Sequence, residues 1–551
     1  MIGVIADDAD RLVVREFFEL FKTPWEPYSP DRKYDVVLCD GVSRSVENAK
    51  VLLVYAARNV ERDAQDASHR YRESKGPRFL SYDGNRIPVY GDSITFGDCT
   101  GCFLTDEESR ECAGYVDGGA QASEVRIGYN LFYEVRVLLT VGQPAANAAI
   151  PALDLHIALL RDIIIACGIS LIEIPPVPIG YGCIACLTHD VDHPSIRLHG
   201  LDHTVLGFLY RATVGSLMNL ARGRMAVRDL FSNWLAALKL PFVYLGLAKD
   251  FWRKFDDSYL EVEGGVRSTY FVIPFNKTRG VNADGPAPAI RAAAYAAADI
   301  SNAIQKLNKA GCEIGLHGID AWIDSSKGRG EIEEIRKLTG ASRVGVRMHW
   351  LYSDQNSPAA LEAAGAAYDS TNGYNETVGY RAGTTQVFKP LNASHMLELP
   401  LHAMDTALFY PSYLDLSKDE AMTLVGRLVD NSFRLGGTLT VNWHDRSLAP
   451  ERLWGGCYQS LIQDLKNRGA WFATAGQAVL WFQKRRLASF AKLGEAAATS
   501  ARRQDDDLPG LRLRTHHGQT TVPVRVHRSD DYDEMPLNAF KNKPTTSATA
   551  I

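Results

Sequence analysis

Five short phrases set Asp, His and Arg side chains where predicted strands run out. In Thr188-His-Asp190-Val-Asp192 two carboxylates stand two residues apart. In an extended chain such residues share a face about 7 Å apart, which suits one as a metal ligand and the other as a general base towards water. A turn in which Asp caps the next helix explains the same pattern equally well. In Glu313-Ile-Gly-Leu-His317 a His sits at the tip of an apolar run, although a lone His is more often a structural hydrogen-bonder. Gly345-Val-Arg347-Met-His349-Trp350 alternates a potential carboxylate holder with a potential metal ligand on one strand face. Leu397-Glu-Leu-Pro-Leu-His402-Ala-Met-Asp405 and Thr438-Leu-Thr-Val-Asn-Trp443-His444-Asp445 add an Asp and a His at two more strand ends. Singly each is weak, but five such ends in one α/β segment are hard to explain as core packing.

These residues need a framework that presents strand ends together. Met1–Ala6, Asp10–Phe21, Val36–Cys39 and Val51–Tyr55 read as strand, helix, strand, strand, which predicts a small α/β domain over residues 1–140. No Gly-rich phosphate loop follows its first strand, so no nucleotide site is expected. Residues 141–180 read as a helical connector ending in the Pro-rich Glu173-Ile-Pro-Pro-Val-Pro-Ile-Gly180, a linker and domain boundary. From residue 181 to 490 strands alternate with helices after a helical insertion at about 195–262. The expected strands include 182–188, 268–273, 313–316, 344–348 and 438–443, and the expected helices 287–309, 332–338, 357–364, 453–468 and 475–490. Such alternation predicts a parallel sheet or barrel with its ligand site at the C-terminal strand ends. Residues 491–551 are poor in apolar side chains and are expected to be disordered or loosely packed.

Bulk composition narrows the partners. The 551 residues carry 60 Lys and Arg against 65 Asp and Glu, and no basic block is large enough to make nucleic acid the main partner. The N-terminus has no secretory pattern, and Ile157–Ile174 is broken by charges, so no membrane span is expected. With nine cysteines, an odd number, reduced thiols and a cytoplasmic location are expected.

The stretch from about 180 to 485 resembles the NodB-homology polysaccharide deacetylases, also called carbohydrate esterase family 4. The resemblance covers about 300 of the 551 residues. It implies a distorted (β/α) barrel, with Asp190 as base and Asp192 and His317 as metal ligands. It further implies Arg347 holding the base, Trp350 offering its backbone N–H to the oxyanion, and His444 as general acid tuned by Asp405. Tyr368-Asp-Ser-Thr371 and Gly379-Tyr-Arg-Ala-Gly383 resemble a bacterial subgroup with an extra N-terminal domain.

One departure matters. The family has a second His four residues after the first, and here that position is Ala321. Because three protein ligands are the usual minimum at a catalytic metal, His349 is the expected replacement. Asp320 is a second candidate, and the helical i,i+4 pair His199 and His203 a third. The expected cofactor is a divalent metal, Zn²⁺ first, and the expected activity is hydrolysis of an N-acetyl group on an amino sugar of a polysaccharide or its precursor. The alternatives are an amidase or esterase acting on a non-sugar substrate, and a carbohydrate-binding or scaffold protein with a degenerate site. Cys183 and Cys186 read as core, Cys99, Cys102 and Cys112 as an unsupported zinc site, and Trp322, Trp350 and Trp443 as groove or core in equal measure.

Overall fold

The computed structural model describes residues 1–41, 46–59, 71–97, 99–118, 123–253, 255–452, 454–490, 508–519, 526–528 and 531–537. The protein is a mixed α/β chain that divides into two compact units. One comprises residues 1–180, 380–391 and 481–551, and the other residues 181–379 and 392–480.

The first unit starts as the sequence pattern predicts. Strands Ile2–Ile5, Tyr34–Asp40, Ala49–Tyr55 and Ser123–Ile127 pair in parallel, with the apolar face of helix Arg11–Leu20 buried through Val13, Val14, Phe17 and Phe18. Antiparallel strands Cys112–Gly118, Cys102–Asp106, Arg78–Tyr82 and Asn85–Val89 extend the same sheet. The stretch 141–180 is more than a connector. Helix Ala152–Ala166 is core, with Leu153, Leu159, Leu160 and Ile163 fully buried, and its Asp154 accepts bonds from Thr384 and Thr385. Residues 380–391 therefore belong to this unit.

The expectation of looseness over 491–551 needs correction in part. Arg512–His516 pairs with Leu171–Glu173 and with Tyr532–Pro536. Alternate residues Leu511 and Leu513 are buried there, and a two-residue period is too short a signal to read in a polar tail. The remainder of that stretch lies largely outside the described residues.

The second unit is organised around parallel strands. Val346–Met348, Glu313–Gly318, Thr269–Val272, Ile184–Val191 and Thr438–Asn442 lie side by side. Val346 also bridges Asp369, and Asp369 bridges Glu398. A few residues later Ala403–Met404 pairs with Thr438–Asn442 at the other edge of this curled parallel sheet. Between the first two strands in sequence come helices His203–Tyr210, Ser216–Ala221, Val227–Tyr244 and Phe255–Glu263. The helix expected over 287–309 is real only at Ser301–Lys309. The Ala-rich run before it forms two short 3₁₀ turns instead. The buried Arg291 holds that region by donating to the carbonyls of Arg279, Ile319 and His349.

Candidate metal centre and acid–base pair

All five phrases end up at one rim because parallel strands point their C-terminal ends the same way. Asp190 and Asp192 lie at the end of Ile184–Val191, His317 in Glu313–Gly318, and Arg347 and His349 at the end of Val346–Met348. Asp405 follows Ala403–Met404, and His444 stands two residues beyond Asn442.

Asp192, His317 and His349 form a cluster whose ligand atoms lie within 4.8 Å of one another. Asp192 Oδ1 is 3.4 Å from His317 Nε2 and 3.7 Å from His349 Nε2. That oxygen is buried and has no hydrogen-bond partner, which a protein seldom tolerates without an ion or water. Burial opposes charge on Asp192, but the His317 side chain and the charge of His444 hold its carboxyl well below the usual range. His317 turns Nδ1 towards the Arg347 carbonyl at 2.9 Å, so Nδ1 carries the proton and the Nε2 lone pair faces the cluster. Burial pushes the His349 imidazole well down, to the neutral form that ligates metals. Two imidazoles and a carboxylate with one oxygen orphaned fit a divalent cation of the zinc type.

The other candidates for a third ligand are engaged elsewhere. Asp320 accepts from Val281 N–H and from Lys327 Nζ, both at 2.9 Å. His199 lies between His193 and Asp202, and His203 lines the wall of the cleft. Ala321 is fully buried, and its Cβ would stand 2.9 Å from a Cβ added at Gly328 on helix Ser325–Thr339.

On one side of the cluster stands Asp190. Its Oδ1 accepts from Arg347 Nη1 at 3.0 Å and its Oδ2 from Asn442 Nδ2 at 2.8 Å. Oδ2 is 3.8 Å from His317 Nε2. Arg347 is fully buried and also donates to Thr188 Oγ1, the Ser370 carbonyl and Ser370 Oγ, so its fork is fixed on several sides. On the other side stands His444, with Nε2 3.8 Å from Asp192 Oδ2. Asp405 Oδ1 accepts from His444 Nδ1 at 2.6 Å, and Asp405 Oδ2 from the His444 N–H at 2.8 Å. Burial opposes protonation of His444, but the attraction and hydrogen bond of Asp405, with Asp192 and Asp190 behind, push its pKa up to about 10. Burial opposes charge on Asp405 in turn, and the His444 contacts with the Ser447 hydroxyl hold it below the usual carboxylate range.

Trp350 sits at φ 63°, ψ 19°, a costly left-handed conformation for a bulky residue, and Asn375 Nδ2 bonds its carbonyl at 3.0 Å. Strain of this kind clusters at sites where a backbone group must be aimed. The cleft over the cluster has a volume of about 490 Å³ and aromatic walls that include Trp350, Tyr352, Tyr410, Tyr413 and Trp454. Trp322 and Trp443 are buried away from it. Sequence reasoning missed Asn442, Thr188, Ser370 and Ser447 as supports. Asn442 had a signal, since it ends the strand two residues before His444. Ser370 stands within the phrase Tyr368-Asp-Ser-Thr371, which gave no hint of its partner, and Ser447 had no signal, being a polar residue that gains meaning only from its partner.

No model of a known protein family matches the chain, and no curated protein matches it in sequence. Solved structures give distant likenesses. The chain is similar to the carbohydrate deacetylase Agd3 at 10% identity and a TM-score of 0.33, covering 97% of both chains. It is similar to the peptidoglycan deacetylase PdaC from Bacillus subtilis at 12% identity and TM-score 0.26, over 56% of this chain and 96% of that one. It is also similar to the PuuE allantoinase at 15% identity and TM-score 0.35, over 57% of this chain and 95% of that one.

Proposed function

We propose that the chain is a metal-dependent hydrolase that removes an N-acetyl group from an amino sugar of a polysaccharide or its precursor, on a distorted (β/α) barrel of the NodB-homology type. One observation carries this reading. The Asp192–His317–His349 cluster is flanked by a carboxyl group held in place by Arg347 and Asn442, and by an imidazole held protonated by Asp405. Acyl transfer to water needs that combination of base, electrophile and acid.

A divalent cation on Asp192, His317 and His349, zinc being the first choice, would supply Lewis acidity to the acyl oxygen and lower the pKa of a water. Asp190 takes the proton of the attacking water, and its two hydrogen bonds keep the carboxylate facing the cluster. The Trp350 N–H adds a donor for the oxyanion. With Nδ1 bonded to Asp405, His444 carries its transferable proton on Nε2 and gives it to the departing amine. The aromatic walls support a sugar ring better than a small polar amide, because pyranose faces stack on such rings.

The test is acetate release from N-acetylglucosamine oligomers by wild type, Asp190→Asn and His444→Ala. The expected result is turnover by wild type and a loss of about 10²-fold or more in each variant. Undiminished turnover in Asp190→Asn would remove the base from this scheme.

A further inference from the structure

The helices between Val191 and Thr269 carry apolar side chains on two faces. In Val227–Tyr244 one stripe is buried through Leu230, Asn233, Ala236, Leu240 and Val243. A second stripe, Phe231, Trp234, Leu238, Phe242 and the following Leu245, has the same three- and four-residue spacing and is exposed, Phe231 by 63% and Leu238 by 71%. The antiparallel partner segment repeats the pattern: Val205, Phe208, Ala212 and Ser216 are buried, while Leu206, Tyr210, Val214 and Leu217 are exposed. Sixteen of the 28 large apolar side chains exposed among the described residues fall within 198–247. A water-soluble monomer rarely concentrates apolar surface in this way without a partner for it.

The charge says which partner. Between residues 203 and 247 five Lys and Arg stand against one acid, Asp229, in a chain with an excess of acid overall. Arg222, Arg228 and Lys239 are exposed beside the apolar stripe. Protein–protein interface cores are depleted in charge and in Lys especially, whereas helices lying in a bilayer interface combine Trp, Phe and Leu with a Lys/Arg fringe. No helix among the described residues is long and apolar enough to cross a membrane.

We infer that the helical hairpin 203–247 docks on the surface of an anionic lipid bilayer, lying in the interface rather than spanning it. His203, Thr204 and Arg211, on the first segment of the hairpin, line the cleft, so docking brings the cleft to the lipid surface. The docking does not depend on the hydrolase reading.

The test is flotation of the full chain with vesicles of phosphatidylcholine alone and of phosphatidylcholine mixed with phosphatidylglycerol, at low and high salt. Wild type is expected to float with the anionic vesicles and to release in salt. F231S/L238S and, separately, R222Q/K239Q change only exposed positions. Each is expected to keep the wild-type Tm and to weaken flotation by about tenfold or more. Failure of wild type to float with either vesicle overturns the inference, as does equal flotation of wild type and both variants. A wild-type dimer in sedimentation that F231S/L238S makes monomeric, with no vesicle binding, overturns it in favour of a second copy on the stripe.

Discussion

Asp405 grips His444 twice, accepting the imidazole Nδ1–H at 2.6 Å and the backbone N–H of the same residue at 2.8 Å. A carboxylate so placed sets ring orientation, tautomer and charge together. Asp405→Asn keeps the shape but removes the charge that opposes the burial of the imidazolium. The pKa of His444 should fall from about 10, so the limb on which turnover is lost with rising pH should move to lower pH. Turnover should drop by about 10²–10³-fold with bound metal unchanged. A pH–rate profile beside metal content checks this, and an unmoved alkaline limb would exclude the tuning role.

Arg347 and Asp190 are both almost wholly buried, so removing one partner strands a charge. Arg347→Met should cost about 3–5 kcal/mol of stability by urea denaturation. Asp190→Asn keeps an acceptor for Arg347 but turns an N–H₂ towards the Asn442 amide, so it should cost less stability than Arg347→Met while abolishing turnover. Equal destabilisation by the two would argue that Asp190 is structural.

Asn442 acts through Asp190, bonding its Oδ2 by side chain and receiving its backbone N–H. Asn442→Leu should lower kcat by about tenfold or more, with KM and metal content nearly unchanged, and cost about 1–3 kcal/mol of stability. Asn442→Asp would set a second carboxylate against Asp190 and should be worse than Leu in activity. If Leu and Asp variants both keep wild-type kcat, Asn442 is only a strand residue.

Glu173, in the first unit, is buried between Arg161, Arg514 and His516. Burial opposes its charge, but these partners hold its carboxyl far below the usual range. A lowered folded-state pKa gives stability that is present above the unfolded value and lost as pH falls below it. Urea midpoints for wild type and Glu173→Gln should therefore stay apart from pH 7 down to about 4.3, the unfolded value, and converge only as pH falls further. Parallel curves would mean that Glu173 is not charged in the fold.

The candidate site was legible because its code is local. An apolar run followed by Asp or His marks a strand end, and parallel pairing brings such ends together, so Asp190, His317, His349 and His444 were all readable from their own neighbourhoods. What escaped depended on distant partners. Ser370 and Ser447 matter only through Arg347 and Asp405. Helix Lys418–Leu435 had a readable start, the capping box Ser417–Glu420, that was passed over. The Ala-rich 287–300 stretch misled through helix propensity, which the tertiary contacts of the buried Arg291 override. Leu511 and Leu513 were too few to announce a strand in a polar tail.

The most direct test of the account is the metal content of the purified chain by elemental analysis, wild type beside His349→Ala. The arrangement of Asp192, His317 and His349 predicts about one divalent ion per chain in wild type and its loss in the variant. Wild type free of metal after zinc is supplied, or a variant that holds metal as tightly as wild type, would contradict the proposed centre.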